Sequence, residues 1–231
     1  MNPSPIDPIE ISGAEPRPKL KLFCIVDFLN GDKGAKVLVA LEKIKADYAV
    51  ADIDVSWEFD YRNLSALKWV PYNYAGFNGL TSLGVDFSYL ASETRKVRET
   101  YGDKFDCVVF IIDERNWKQG QAPTWGWNLG EFFNGYQVEL VMVQENEEYL
   151  YKTFSMEIFH AMDNFIRVRL GIDIAEVLNV GDFDEDVVHG KLNPPYVVFE
   201  YRPTILKLAP LLQQTFSYKP PKFLQNLYFG L

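Results

Sequence analysis

The sequence predicts an α/β (α+β) fold, and three observations carry that expectation. Two short runs, LKLFCIVDF at residues 20–28 and DCVVFIID at 106–113, are almost wholly apolar and read as buried strands. Other segments place apolar residues at helical spacing, and the two kinds alternate along the chain. With 48% hydrophobic and 15% aromatic residues, a chain of 231 residues has enough apolar surface for one large core.

Taken in order, residues 1–19 hold five prolines and little apolar content, so they are expected to form an arm outside the core. Pro18 and the turn-like Asn30-Gly31-Asp32 bound the first strand, 20–28. Residues 33–48 put Val37, Leu38, Leu41, Ile44 and Tyr48 on one helical face. VADIDVSWEFDY at 50–61 alternates as a strand with one wet face, apart from a slip at Ala51-Asp52. A Gly- and Asn-containing connection, YNYAGFNGLTSLG, leads to a helix over 87–101, with Ser88 as its expected cap and Gly102 as its stop. The strand at 106–113 is followed by a loop of some twenty residues holding three of the five tryptophans, a length that favours a functional role. GYQVELVMV, 135–143, reads as a strand, and Asn146-Glu147-Glu148 then starts a helix that should run to about Leu170 and stop at Gly171. Beyond it come an acidic loop, a strand-like YVVFEY, a helical TILKLAPLLQQTF expected to break at Pro210, and an aromatic tail. The chain therefore divides into an arm (1–19), an N-terminal subdomain (20–171) and a C-terminal subdomain with its tail (172–231).

A net charge of −9, with no basic stretch interleaved with aromatics, argues against nucleic acid as a partner. Neither a basic leader followed by an apolar run nor eighteen consecutive apolar residues occurs, so no signal peptide and no membrane span are expected. Cys24 and Cys107 lie within apolar strands and are expected to be buried thiols of a reducing compartment, with the chain cytoplasmic or part of a particle. Phosphate-cradling glycine motifs and the serine-hydrolase elbow are absent. Asp182, Asp184 and Asp186 alternate like the start of a calcium loop, but Val187 and Asn193 stand where such a loop needs glycine and glutamate. Trp125-Gly126-Trp127 is read first as packing and second as the lining of a cleft.

Chemistry concentrates in FSMEIFHAMDNF, 154–165. On a helix, Thr153, Glu157, His160 and Asn164 fall at steps of four, three and four and form one polar stripe beside the apolar Phe154, Ile158, Ala161 and Phe165. An ionisable stripe on a largely buried helix is costly unless its members are paired, metal-bound or facing a cleft. A glutamate and a histidine bonded within the core would satisfy the same pattern.

The element order, together with the string Glu157-Ile158-Phe159-His160-Ala161-Met162-Asp163, resembles the zincin metallopeptidases, in particular those related to anthrax lethal factor and the Pro-Pro endopeptidases. The resemblance covers residues 20–170 in element order and some eight residues in motif. It implies a zincin-like mixed sheet with packed helices, in which the active-type helix follows an edge strand that binds extended peptide. It also implies that Glu157 is the general base, His160 a zinc ligand and Asp163 a residue orienting a ligand, with a third ligand supplied by Glu176, His189 or Glu200. Met156 occupies the first-ligand position, where a thioether is a poor partner for zinc. The expectation is accordingly a metallopeptidase fold with a degenerate site, holding no cofactor and acting as a binding or structural subunit. Its partner would be a protein or peptide, and the Pro-rich arm and the PPKFLQNLYFGL tail suggest an oligomer or assembly. The alternative is an active zinc peptidase with an unusual ligand set.

Overall fold

The computed structural model describes residues 17–27, 31–64, 69–73, 81–85, 87–113, 126–180 and 201–217. Strands β1 (Lys19–Asp27), β2 (Asp54–Arg62), β5 (Cys107–Asp113), β6 (Gly126–Phe133) and β7 (Tyr136–Val143) form one sheet in the order β2-β1-β5-β7-β6. The first four are mutually parallel and β6 runs antiparallel to β7. A separate antiparallel pair, β3 (Trp69–Asn73) and β4 (Thr81–Val85), occupies part of the stretch expected to be a plain connection.

Side-chain alternation divides the core into two layers. Leu22, Cys24 and Val26 of β1, Cys107, Val109 and Ile111 of β5, and Val141 and Val143 of β7 point to one face. There they meet helices α1 (Gly31–Tyr48), α3 (Glu147–Leu170) and α5 (Tyr201–Ser217). Phe23, Ile25, Val108, Phe110, Val138 and Leu140 point to the other face and meet Leu90 and Val97 of α2 (Phe87–Tyr101). Every residue of β5 and β7 is buried, as parallel strands covered on both sides must be. Each fully buried Leu, Ile or Phe contributes roughly 1.5–3 kcal/mol, so these two layers hold the sheet together. Both cysteines are buried free thiols on the α1 side. No helix among the described residues is long and apolar enough to cross a membrane.

Several expectations are corrected. β7, which leads into α3, has neighbours on both sides; β6 is the edge strand next to that helix, and it lies within the segment expected to be loop. The slip at Ala51-Asp52 is a 3₁₀ turn, Ala49–Ala51, closed by Asp52 in the left-handed conformation (φ 57°) before β2 begins. α2 starts at Phe87, so Ser88 lies inside its first turn instead of capping it, while Gly102 does end it at φ 58°. α5 runs unbroken through Pro210. Pro210 is exposed, and the hydrogen bond its nitrogen lacks is offset by burial of Ile205, Leu208 and Leu212 on the opposite side. Tyr201, read as the end of a strand, is the first residue of that helix. Because α5 packs into the same core as α1 and α3, residues 172–231 have no separate core among the described residues. The arm up to residue 16, the acidic loop with its three aspartates, and the tail from residue 218 lie outside the described residues.

Candidate functional site

Helix α3 forms where local signals demand it. Asn146 caps its start, its side-chain oxygen accepting from the backbone N–H groups of Glu148 (2.9 Å) and Tyr149 (3.1 Å). Glu147 and Glu148 complement the positive end of the helix dipole, and Arg167 and Arg169 the negative end. Gly171, at φ 68°, lets the chain leave in a left-handed turn. The helix lies against β6 and β7, and the polar stripe faces them.

Thr153 accepts a hydrogen bond from Gln144, just past the end of β7 (2.8 Å). Asn164, three turns further on, donates to Gln137 of β7 (2.9 Å) and to Asn128 of β6 (3.3 Å). Asn128 in turn donates to Glu139 Oε1 (2.7 Å). Glu157 lies between these ends, 2% exposed, beneath Gly126 of β6. A Cβ on Gly126 would stand 2.8 Å from both Cγ and Cδ of Glu157, closer than real side chains approach. Any side chain at position 126 would require the Glu157 side chain to move.

Gln137 and Glu139 went unmarked in the sequence reading, yet both are fully buried and face α3. Their signal was present: two polar residues at alternate positions in a strand otherwise apolar point to one side, and the helix that follows carries a polar stripe of its own. Burial pushes the Glu139 carboxyl well above the usual range, and the charge of Glu157 pushes the same way; the Asn128 bond opposes them. Burial and then Glu157 also raise the Tyr201 hydroxyl of α5, whose ring stacks edge-on against Phe159.

Among the described residues, the ligand candidates implied by the resemblance do not converge. Met156 is half-buried and packs against the apolar core shared by α1, α3 and α5. His160 is half-buried on the stripe. Asp163 pairs with Arg167 one turn along the helix (2.6 Å). Glu176 is exposed on the short helix α4 (Ile174–Leu178), beyond the end of α3. His189 and Glu200 lie outside the described residues. Among the described residues no three His, Cys, Asp or Glu side chains converge to hold a metal ion. Zinc takes three or four nitrogen, sulfur or carboxylate donors, and a thioether beside one imidazole does not fit it. No family model matches the chain, and no curated protein does.

Chemically, the site holds two buried carboxyl groups, Glu157 and Glu139, with Asn128, Asn164 and Gln137 bonded beside the second under an edge strand.

Proposed function

We propose that this chain is a zincin-type metallopeptidase fold with a degenerate metal site, and that it works as a protein- or peptide-binding structural subunit. One observation carries the reading. Glu157, in the position of the general base, is sealed under Gly126 of the antiparallel edge strand, while Met156, in the position of the first ligand, is turned to packing. The edge strand beside the Glu-x-x-His helix supports the fold; the sealed glutamate and the thioether support loss of hydrolysis. Without a metal to lower the pKa of water from about 15.7 to about 7, a lone glutamate has no nucleophile to generate. The proline-rich arm and aromatic tail support a role in an oligomer or larger assembly.

Elemental analysis of purified protein tests the site, with an expected content far below one zinc per chain. Stoichiometric zinc, together with cleavage of an unstructured protein that stops in Glu157→Gln, would replace this reading with the active peptidase. Mass in solution with and without residues 1–19 tests the assembly: a larger species that dissociates on truncation is expected, and a monomer in both cases rejects it.

A further inference from the structure

Buried polar atoms are nearly always hydrogen-bonded, so an exception calls for a partner. Two such exceptions stand on one strand. Gln137 and Glu139 of β7 are both fully buried, and Gln137 Nε2 and Glu139 Oε2 have no hydrogen-bond partner in the protein. Each has given up its hydration with nothing in return. Tyr48 Oη, Ser155 Oγ and Thr215 Oγ1 are also buried without a partner, but they lie on three separate helices, α1, α3 and α5.

The bonds that these residues do make fix which orphaned atom is a donor and which an oxygen. Asn128 Nδ2 donates to Glu139 Oε1 (2.7 Å), so Asn128 turns its Oδ1 towards Asn164 and accepts from Asn164 Nδ2 (3.3 Å). The second hydrogen of Asn164 Nδ2 goes to Gln137 Oε1 (2.9 Å), which leaves the Gln137 N–H group as the orphan. A run of four side chains therefore begins at one unpartnered atom and ends at the other. Two places apart on a strand, Gln137 and Glu139 project to the same side with their backbones about 6.6 Å apart. Their heads bond to Asn164 and Asn128, which touch each other. A water making two bonds of about 2.8 Å spans a gap of up to about 5.6 Å, which these long side chains can close to.

We infer that β7 carries a binding site for one buried water, which bridges Gln137 Nε2 and Glu139 Oε2 and closes the four side chains into a ring. The chemistry of the two atoms selects the ligand. Water accepts from the amide N–H and donates to a carboxylate, or accepts from the carboxyl when that is protonated. A cation would meet the amide hydrogen head-on, and an anion would meet the carboxyl oxygen. The ring gives the otherwise apolar β7 a polar tie to its neighbours, through Asn128 to the edge strand β6 and through Asn164 to α3. The water is thus a structural part of the seam on which the candidate site is built. It depends on no residue that the zincin resemblance assigns, so it stands or falls apart from that reading.

A high-resolution crystal structure of the full chain tests this without any variant, and one ordered water within about 3.2 Å of both atoms is expected. In solution, the ¹⁵N-labelled chain should show a water NOE at the Gln137 side-chain amide with the sign of a long-lived contact, and the matching ROE should carry the opposite sign, which separates a bound water from proton exchange. Glu139→Met removes one end of the bridge, and that NOE should drop several-fold. If this variant does not fold, the two measurements on the wild type still decide. A direct bond between Gln137 and Glu139, another protein group on either atom, an ion in the water's place, no NOE in the wild type, or an NOE unchanged in Glu139→Met would each overturn the assignment.

Discussion

Gly126 shows how one missing side chain positions a chemical group. A Cβ at this backbone position would meet the Glu157 side chain, so Gly126→Ala should destabilise the protein by about 1–3 kcal/mol, the usual penalty for overpacking. Glutamate side chains bend easily in the open, but this one is buried beneath the strand, 2% exposed. A denaturation cycle with Glu157→Ala checks the cause, since the alanine penalty should shrink once the carboxylate is gone. The two cysteines give a second residue-scale expectation. Burial raises both thiols, Cys24 most simply, so native protein at pH 8 should react with neither, and unfolded protein should react with both. Counting thiols with and without denaturant decides it. The burial of Cys24 and Cys107 was legible because their neighbours in sequence are apolar. Gly126 was not legible, because its meaning depends on a residue 31 positions away on another element.

At the scale of elements, α3 was predicted almost to the residue because its signals are local: a capping Asn, acids at one end, bases at the other, a terminal glycine. Asn146→Ala should therefore cost about 1 kcal/mol by removing an acceptor from two backbone N–H groups, and Gly171→Ala should cost roughly 1 kcal/mol because alanine is strained at φ 68°. Denaturation midpoints of the single and double variants measure both, and the two losses should add, since the caps stand at opposite ends of a 24-residue helix. β6 was missed for the complementary reason. GWNLGEFF holds two glycines and no regular alternation, and its pairing with β7 slips between Asn128 and Phe132. Its strand character comes from the partner it pairs with and not from its own residues. Alternation normally marks a wet face, but here Gln137 and Glu139 face a helix with polar groups of its own.

Across the whole molecule, a buried ion pair joins the first βα unit to the third parallel strand. Lys33, in the first turn of α1, donates to Asp113 at the end of β5 (2.9 Å), and the aspartate is 1% exposed. Asp27, at the end of the adjacent β1, accepts from the backbone N–H of Leu64, so the end of each strand is held by a residue from another part of the chain. Lys33→Met should cost about 3–5 kcal/mol, because it strips the buried cation from Asp113. Replacing both partners, Lys33→Met with Asp113→Leu, should restore most of that loss, since an apolar pair carries no desolvation penalty. Equilibrium unfolding in denaturant separates the two outcomes. None of this was visible in the sequence, where Lys33 and Asp113 stand 80 positions apart.

The position of β1 inside the sheet also bears on how the chain is made. Its first neighbour, β2, follows soon after, but its other neighbour is β5, and the contact that starts that pairing, between the Lys21 N–H and Asp106, spans 85 residues. At synthesis rates of about 5–20 residues per second, one edge of β1 waits roughly 4–17 s for its partner to be made. During that interval Leu22, Phe23, Cys24, Ile25 and Val26 present an unpaired apolar strand. A nascent chain of this protein is thus most open to misassociation, and most in need of a chaperone, before residue 113 has left the ribosome.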